Sequence, residues 1–453
     1  ALQAINDPLT AATVVPLLRT DNELVRETIV IVLGNTKSDE VKRWLRTQGL
    51  SGHRGVTRAY VARVLGNLGD TGSGEELLKY TGDGFWLTRA HVARALGLVG
   101  HEPAIPVLKE MVKDKAQKVR IAAMDAVGRF GERAGSAWSM VSDELGTSAW
   151  QVRSAAAECL GKLGQMASVE PLISRMEIET GRIRKDIREA LKKVTRDDLG
   201  SNPKHWRDWW EKEKDRAGGG LPKRGDKPKE NPKVASRSVT KTPTYYGIQV
   251  FSEGVGYVLD VSQSMNTTIK IDPNWIKKQR REYPHHAARF DLAMNEINAS
   301  LKSLDPRVRF NLYFFRSQAY TWKSDMVPAS SSNVNSAKNR LASERPPDAG
   351  GGDSYRTNYV DVFRLVLDVK PGKDLVGNFA DTPDTIFFLT DGEPTVGDIT
   401  NTEVLNSWFR ELNRFARVKV NVITFGNLGI DPVFLRRLAE DNGGVFVQVP
   451  EVR

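Results

Sequence analysis

Cysteine and long apolar runs are the two features that this sequence most clearly lacks. Its 453 residues include one cysteine, Cys159, which rules out an internal disulfide and a cysteine-built zinc cluster. Cys159 falls on an apolar helical face, so we expect it to be buried as a small hydrophobic residue. No run of about 18 uninterrupted apolar residues occurs, so we expect no membrane-spanning helix.

The scarcity of thiols also bears on location. It fits either a reducing compartment or a bacterial protein that works outside the cytoplasm, and we favour a periplasmic or extracytoplasmic location over a cytoplasmic one. Because the chain begins with Ala1 rather than methionine, we expect its start to have been processed or trimmed, which leaves a cleaved signal peptide open.

The sequence also lacks the motifs of common enzymes. It has no Gly-x-Ser-x-Gly nucleophile elbow and no Gly-x-x-x-x-Gly-Lys-Ser/Thr phosphate loop. Histidine, the most frequent general base, is scarce, and four of the six copies fall in the N-terminal half: His53, His91, His101, His205, His285 and His286. We therefore expect a protein that is not an enzyme.

Positive charge is in excess, with a formal net charge of +10. Within residues 215–241 eight basic residues stand against three acidic ones, which accounts for half of that excess. Low hydrophobicity and frequent proline and glycine predict a mostly extended, poorly ordered linker over 216–244. A solvated basic linker explains the charge more simply than a nucleic-acid-binding groove, so we expect no nucleic-acid partner.

The first 200 residues repeat a short pattern. Val, Thr or Ile followed by Arg opens six similar segments, spaced by 31 to 33 residues, at 25–26, 57–58, 88–89, 119–120, 152–153 and 183–184. Apolar positions recur every fourth residue within a segment, as at Val119, Ala123 and Val127, which is one stripe of an α-helix. A second helical run precedes each stripe, so each unit is predicted to be a helix pair that buries its face against its neighbours. Residues 1–195 resemble HEAT repeats of the short bacterial type.

Three features of this region bear on its structure, and two of them have an alternative interpretation. A glycine follows the stripe in five of the six copies and is predicted to adopt the left-handed conformation that ends a helix. The repeated arginine is predicted to brace a neighbouring loop, with ligand binding as the alternative. Trp206, Trp209 and Trp210 are predicted to cap the open end of the solenoid, with an aromatic binding face as the alternative. We assign 1–215 to the solenoid and its cap.

From residue 245 to 453 the pattern changes to alternating strands and helices. Strands are predicted at 255–261, 308–315, 385–389, 418–425 and 445–449. Helices are predicted at 289–304, 359–369, 403–417 and 431–442. This alternation predicts an α/β domain with a doubly wound, mainly parallel sheet, a fold that binds ligands beyond the carboxyl ends of its strands.

Two of the predicted strands end in carboxylates. Asp260 ends the first, within "VGYVLDVSQSMN", and is followed by Ser262 and Ser264; Asp391 ends the third, and Thr357 lies between them in sequence. Such oxygen ligands suit a hard cation such as Mg²⁺, Mn²⁺ or Ca²⁺.

Two other roles for the strand-end carboxylates stay open. Asp260 as a nucleophile is disfavoured, because Ser262 stands where enzymes with an aspartyl nucleophile usually carry a second acid. The other alternative is that Asp260 and Asp391 only cap helices or turns.

The order of these five residues resembles that of the von Willebrand factor A domain with its metal-ion-dependent adhesion site. The resemblance implies that Asp260, Ser262, Ser264, Thr357 and Asp391 form a Mg²⁺ site (or one for Mn²⁺ or Ca²⁺), some as direct ligands and others through water. It further implies that a carboxylate of a partner protein takes the last coordination position. On this resemblance the domain binds a protein and catalyses nothing.

This sequence departs from the family at three places. Asp353, Ser354, Tyr355 and Arg356 separate Gly352 from Thr357, where the family usually has a glycine pair directly before the threonine. Ser354 is therefore a rival to Thr357, and Asp353 is a further candidate ligand. Gln263 replaces a common glycine and would narrow the approach to the metal. The basic insert 266–288 either supplements recognition of an acidic partner or is a solvated loop; its adjacent His285 and His286 make a poor chelating pair.

Together these features predict a non-enzymatic scaffold. The α/β domain would bind an acidic partner group through its metal, and the solenoid would offer a second interaction surface. One alternative is a subunit of an ATPase-coupled or metal-handling complex. Another is a structural component of a large assembly with an idle metal site.

Overall fold

The computed structural model of the chain describes residues 3–221, 229–230, 243–278, 282–348, 356–370, 379, 381–426 and 429–452. The chain divides into two compact units, Ala1–Val239 and Thr240–Arg453, and the division falls within the 216–244 segment that the sequence marks as a linker. Most of that segment lies outside the described residues. Among the helices that the structure describes, none is long and apolar enough to cross a membrane.

The first unit is helical. Its described α-helices are α1 Pro8–Val14, α2 Glu23–Gly34, α3 Asp39–Trp44, α4 Gly55–Leu68, α5 Gly74–Leu78, α6 Trp86–Leu98, α7 Ile105–Met111, α8 Gln117–Phe130, α9 Trp138–Asp143, α10 Trp150–Leu163, α11 Val169–Ile178, α12 Gly181–Thr195 and α13 Pro203–Arg216. The long helices α2, α4, α6, α8, α10 and α12 carry the six predicted stripes, and each packs against the next. A short parallel pair, β1 Asp197–Asp198 and β2 Lys229–Glu230, follows them. The predicted solenoid is confirmed.

The glycine of the stripe serves packing rather than helix termination. Gly66 and Gly97 lie inside α4 and α6. A β-carbon on Gly66 would lie 2.8 Å from the Cα of Ala95, and one on Gly97 would lie 2.8 Å from the Cα of Ala126, so neighbouring helices approach closely there. The left-handed glycines come three positions later, at Gly69, Gly100, Gly131 and Gly164. The prediction that the stripe glycine ends its helix is therefore wrong for Gly66, Gly97, Gly128 and Gly161, whereas Gly34 is the last residue of α2 but lacks the left-handed conformation.

The repeated arginine braces the loops on either side of its helix. Arg89 donates from Nε and Nη2 to the two carboxylate oxygens of Asp114, each at 2.8 Å, and from Nη1 to the carbonyl oxygen of Asp83 at 2.8 Å. Corresponding ion pairs join Arg58 to Asp83, Arg120 to Glu144 and Arg153 to Glu179. The bracing role is confirmed for these four copies, whose guanidinium groups bond within the helical unit. Cys159 is buried in α10, as expected, and burial raises the pKa of its thiol.

Tryptophans cover the C-terminal end of the helical unit. The side chains of Trp206 and Trp210 in α13 are buried, and Trp206 Nε1 donates to the carbonyl oxygen of Gly200 at 2.8 Å. Helix α13 packs against α11, and Arg207 Nε donates to Glu177 of α11 at 3.0 Å. Burial of this kind is what a terminal cap requires, because the last repeat has no further neighbour to cover it.

The second unit is built around one sheet. Its described strands are β3 Thr244–Tyr245, β4 Ile248–Gln249, β5 Gly254–Asp260, β6 Thr268–Lys270, β7 His286–Ala288, β8 Arg309–Phe315, β9 Ala319–Thr321, β10 Val327–Pro328, β11 Thr385–Leu389, β12 Lys419–Phe425 and β13 Phe446–Val449. Seven of them form a sheet in the order β10-β8-β5-β11-β12-β13, with β9 also paired to β8. Strands β8, β5, β11, β12 and β13 are parallel, whereas β9 and β10 run antiparallel to β8.

Helices cover both faces of this sheet. They are α14 Pro273–Lys278, α15 Arg289–Ser303, α16 Ser331–Ser343, α17 Tyr359–Leu367, α18 Thr402–Ala416 and α19 Pro432–Glu440. Apolar residues of α15 and α16 share a core with Tyr257 of β5 and Phe387 of β11. On the opposite face Phe388 of β11 packs against Tyr359 and Phe363 of α17. The predicted doubly wound α/β architecture is confirmed.

Side-chain caps set where several of these helices begin. The Asn358 side chain accepts from the backbone N–H of Asp361 at the start of α17, and Asn401 does the same for Val404 in α18. Asp431 accepts from the first free N–H groups of α19. Such caps satisfy N–H groups that have no partner within the helix. The cap at Asn358 matters most, because it places α17 directly after Thr357.

The insert 266–288 has structure of its own, apart from residues 279–281, which lie outside the described part. Strands β6 and β7 pair antiparallel, and Ile269 and Ile271 are buried. Ile271 forms a bridge with Glu451, and the N–H of Val452 donates to the carbonyl oxygen of Lys270 at 2.8 Å. Of the two interpretations of the insert, the solvated loop is therefore wrong for the described part, because its two isoleucines pack into the domain.

Candidate functional site

The parallel register brings the two strand-end acids together. Leu259 of β5 pairs with Leu389 of β11, so Asp260 and Asp391 both leave the sheet at the carboxyl ends of adjacent strands. Asp260 is 0% exposed and Asp391 is 2% exposed. Two buried carboxylates at one sheet edge form the centre of the candidate site.

Asp260 is held in a fixed orientation. Its Oδ1 accepts from the backbone N–H of Ser262 at 2.9 Å, and its Oδ2 accepts from the hydroxyl of Thr390 at 2.7 Å. Burial, followed by the negative charge of Asp391, raises the pKa of Asp260 to about 7. Among the described residues the hydrogen-bond partners of Asp260 are neutral groups, so a bound cation would stabilise its buried negative charge.

The two serines connect the acids through a line of oxygen atoms. The Ser262 and Ser264 hydroxyl oxygens lie 3.0 Å apart, and the Ser264 hydroxyl donates to Asp391 Oδ1 at 2.7 Å. Adjacent oxygen ligands of an octahedral Mg²⁺, each about 2.1 Å from the metal, lie about 3 Å apart. Both serine hydroxyls and the Asp391 carboxylate therefore have a spacing that fits a small hard cation.

Thr357 lies beside the same turn. It is buried, and its hydroxyl oxygen is 3.8 Å from the point where a β-carbon on Gly392 would lie. Its backbone is clamped to the loop after β11, since Thr357 N–H donates to the Thr395 hydroxyl at 2.8 Å and Thr395 N–H donates to the Thr357 carbonyl oxygen at 2.9 Å. Thr357 thus lies beside Gly392, the residue after Asp391, whereas its rival Ser354 and the further candidate Asp353 lie outside the described residues.

Arg289 is one of three residues at this site that the sequence analysis did not identify. It is the first residue of α15 and is buried, and its Nη1 donates to Asp391 Oδ2 at 2.8 Å. Its Nη2 makes a longer contact of 3.5 Å with Glu451 Oε2. The only signal in the sequence was a basic residue opening the helix after the insert, and nothing local says that it points back to Asp391.

Tyr359 and Thr390 were also missed. The Tyr359 hydroxyl lies 2.6 Å from the Gly392 carbonyl oxygen and 3.0 Å from the Thr390 hydroxyl, which in turn contacts Asp260. Burial raises the pKa of Tyr359 well above its ordinary value, so this group stays a neutral hydroxyl. Tyr359 therefore ties α17 to the Asp391–Gly392 turn.

Gln263 lies between the two serines and presents an unusual atom. Its side-chain oxygen Oε1 is buried and has no hydrogen-bond partner within the described part of the chain. A buried acceptor without a donor is costly, and a bound water or an incoming N–H group would satisfy it. Gln263 thus contributes an acceptor next to Ser262 and Ser264 where the family has none.

The donor set fits a hard divalent cation. It consists of two carboxylates and three hydroxyls, which suit Mg²⁺, Mn²⁺ or Ca²⁺ rather than a thiolate- or imidazole-seeking metal. Over the described ranges no cluster of three or more His, Cys, Asp and Glu side chains is arranged to hold a metal. His285 and His286 are exposed.

Comparison with a family model identifies the repeats. The model of HEAT repeats matches residues 46–128 and 110–192. The matched stretches cover the long helices α4, α6, α8 and α10, which carry the stripe glycines and the bracing arginines. The HEAT resemblance is therefore confirmed for this region.

The curated relatives are matched over only a small share of their own length. Inter-alpha-trypsin inhibitor heavy chain H4 of Homo sapiens is 33% identical over 152 residues, which is 33% of this chain and 15% of that protein. Heavy chain H6 of Homo sapiens is 28% identical over 208 residues, 45% of this chain and 14% of that protein. This chain therefore spans only a small part of the relatives that it matches.

Solved structures match at low TM-scores. A von Willebrand factor type A structure from Catenulispora acidiphila has a TM-score of 0.30 at 12% identity and covers 45% of this chain and 39% of that one. An engineered protein has a TM-score of 0.32 at 15% identity and covers 41% of this chain and 96% of that one.

The matched heavy chains contain a von Willebrand factor A domain. The second unit of this chain has the doubly wound sheet that the sequence analysis predicted for such a domain. The chain combines HEAT repeats with a doubly wound α/β domain, and its heavy-chain relatives support a domain of the von Willebrand factor A type.

Proposed function

We propose that this protein is a non-enzymatic interaction scaffold whose α/β unit binds an acidic group of a protein partner through a Mg²⁺-type cation. HEAT repeats joined to a domain of the von Willebrand factor A type form a protein-interaction architecture. The observation that carries the proposal is the line of oxygen atoms from Ser262 through Ser264 to Asp391, set beside the buried carboxylate of Asp260.

Five residues would hold the cation: Asp260, Ser262, Ser264, Thr357 and Asp391. The bound cation supplies a coordination position that a partner's carboxylate takes. Two carboxylates balance a divalent charge, while three neutral hydroxyls add oxygen ligands without further charge. The protein's own part is to hold these oxygens in place, through the Thr390 bond to Asp260 and the Tyr359 bond to Gly392.

The same geometry supports a binding role over a catalytic one. Both oxygens of Asp260 already accept hydrogen bonds, and Ser262 occupies the position at which aspartyl-nucleophile enzymes carry a second acid. The helical unit adds a second interaction surface, because a stack of repeats exposes an extended face while its arginines are spent on internal bracing.

Calorimetric titration with Mg²⁺ and Mn²⁺ tests the metal site. Wild type should bind one cation per chain, and Asp260→Ala should lose that binding. Asp305→Ala is the matched control, since Asp305 is an exposed carboxylate that precedes β8 and lies at the opposite ends of the strands. Equal heats for wild type and Asp260→Ala would overturn the proposal.

A second experiment addresses the partner's carboxylate. Water on bound Mn²⁺ enhances the relaxation of bulk water protons, so we expect acetate or a glutamate-containing peptide to lower that enhancement by displacing the water. Acetamide, which has the same size but no charge, is the control. An enhancement that acetate leaves unchanged would show that the coordination position is closed.

One observation favours a second candidate, a structural role with an idle metal site. Arg289 already donates to Asp391 Oδ2 at 2.8 Å and neutralises part of the charge that a cation would need. If the idle site is correct, wild type should show no cation binding at millimolar Mg²⁺ or Mn²⁺, and partner binding should be indifferent to chelators.

A further inference from the structure

Asp391 is shared between the metal-site oxygens and an internal cation. Its Oδ1 accepts from Ser264 and its Oδ2 accepts from Arg289, both within 2.8 Å. Arg289 and Asp391 are buried, with side-chain exposures of 8% and 0%. Charges in such a place are weakly screened, so a guanidinium and a divalent cation that both seek Asp391 oppose each other.

Arg289 is held less completely than Arg89 of the helical unit. Arg89 places three of its nitrogen atoms on good acceptors. Arg289 makes one short bond, to Asp391, and its Nε is buried without a hydrogen-bond partner among the residues that the structure describes. A buried guanidinium with an unsatisfied N–H group is stabilised by any alternative position in which that N–H group finds an acceptor.

Glu451 offers that second position. Its Oε2 lies 3.5 Å from Arg289 Nη2, the terminal nitrogen that does not bond to Asp391. Gly426 leaves room for the carboxylate, since a β-carbon there would come 2.3 Å from Glu451 Oε2. The insert fastens this segment, because Asp272 N–H donates to the Pro450 carbonyl oxygen at 3.1 Å and Ile271 forms a bridge with Glu451.

We propose that Arg289 is a built-in competitor of the cation, which pairs with Asp391 in the cation-free protein and with Glu451 when a divalent cation binds. The proposal rests on the proposed function and adds a determinant of affinity to it. Arg289 weakens cation binding and Glu451 restores part of it by drawing the guanidinium away. The insert, by holding Glu451, thereby sets the affinity of the metal site.

Two substitutions with opposite expected effects test this competition. Arg289→Met removes the competing charge and should tighten Mg²⁺ and Mn²⁺ binding at least about tenfold. Glu451→Gln removes the alternative partner and should weaken binding severalfold. Arg307→Met is the control for net charge, because Arg307 is exposed and pairs with Asp305 outside the site. Its cation affinity should equal that of wild type.

A thermal measurement guards against a variant that merely folds poorly. Arg289→Met leaves the buried Asp391 without its counter-charge, so it should melt below wild type without a cation and gain more from saturating Mg²⁺ than wild type does. A purely structural Arg289 would instead give a variant that Mg²⁺ cannot rescue and that binds the cation no better than wild type. That result overturns the inference.

The outcomes separate this inference from the proposed function. If wild type binds a cation, Asp260→Ala does not, and Arg289→Met binds no tighter, the competition fails while the metal site stands. If Arg289→Met binds a cation that wild type does not, the competition at Asp391 is supported while the proposed function fails for the wild-type protein. If neither protein binds a cation, both proposals fail.

Discussion

Gly97 of α6 and Ala126 of α8 meet backbone to backbone. A β-carbon on Gly97 would lie 2.8 Å from the Cα of Ala126, and the equivalent distance between Gly161 and Ala190 is 2.9 Å. Real β-carbons do not approach other atoms this closely, so the two long helices lie as near to each other as a missing side chain permits. The repeated glycine is therefore a packing residue that maintains the spacing between neighbouring repeats.

Gly97→Ala should consequently destabilise the helical unit. We expect a loss of about 1–3 kcal/mol in the free energy of unfolding, because the added methyl group has no space and the helices must separate. Urea denaturation followed by far-UV circular dichroism measures it. Gly34→Ala is the matched control, since Gly34 holds the same position in the first copy and a β-carbon there would meet no atom of the described residues within 4 Å. Its effect should stay within about 0.5 kcal/mol; equal effects of the two substitutions would contradict the packing role.

The bracing arginines should carry a comparable share of stability. Arg89→Met leaves the Asp114 carboxylate, which is 13% exposed, without its bidentate partner. We expect a loss of about 2–4 kcal/mol in the free energy of unfolding, since breaking a largely buried pair strands one charge. Arg129→Met removes an exposed arginine of α8 and should change stability by no more than about 0.5 kcal/mol. If Arg89→Met lowers the free energy of unfolding no more than Arg129→Met does, the hydrogen bonds of Arg89 contribute little to stability.

The third-loop ligand can be identified by comparing two substitutions. Thr357→Ala should lower the affinity for Mn²⁺ by about tenfold, because it deletes an oxygen ligand next to Asp391. Ser354→Ala should leave that affinity unchanged. Electron paramagnetic resonance of free Mn²⁺ in a titration gives both values. If Ser354→Ala lowers the affinity for Mn²⁺ and Thr357→Ala does not, Ser354 is the ligand, and Thr357 only holds the loop through its backbone bonds to Thr395.

Lys118 should give the helical unit a pH-dependent stability. Burial lowers the pKa of Lys118 to about 8, beside the ring of Trp86 at 4.9 Å. Unfolded lysine titrates near pH 10.4, so between about pH 8 and pH 10 the unfolded chain holds a proton that the folded chain has released. The free energy of unfolding should therefore rise with pH across this window, by at most about 2 kcal/mol.

Lys118→Met removes the titrating group, so its comparison with wild type isolates the contribution of Lys118. The difference in unfolding free energy between wild type and Lys118→Met should be largest near pH 7 and should shrink by pH 10. Urea denaturation at several pH values gives this difference directly. A difference that does not vary with pH would mean that Lys118 keeps its proton in the folded state.

Local patterns were sufficient for most of the architecture. The strand 385–389 has the predicted bounds, and the other four predicted strands of the sheet are shifted by one residue at most at either end. The period of the repeats and the alternation of strands and helices are local signals, and they carried the fold. The sequence analysis did not predict helix α16 or the edge strands β9 and β10. These segments are short or weakly patterned, and their structure depends on packing against the sheet or pairing with β8.

The stripe glycine shows where local reasoning fails. A glycine near the end of a helical stripe fits the left-handed conformation, and a second glycine three residues later, at Gly69 or Gly100, was the signal for the true helix terminus. What distinguishes the two glycines is the distance to the next helix. That distance is a property of the stacked repeats and not of any one of them.

The sequence by itself determined the two kinds of unit, the six repeats, and the set of oxygen-bearing residues at the ends of β5 and β11. Only the tertiary structure decided how those residues are connected. Ser264 links to Asp391, Thr390 links to Asp260, and Arg289 reaches Asp391 across 102 positions of the chain. Composition and spacing are local, whereas the charge balance of a buried site depends on which distant side chains the fold brings within hydrogen-bond distance.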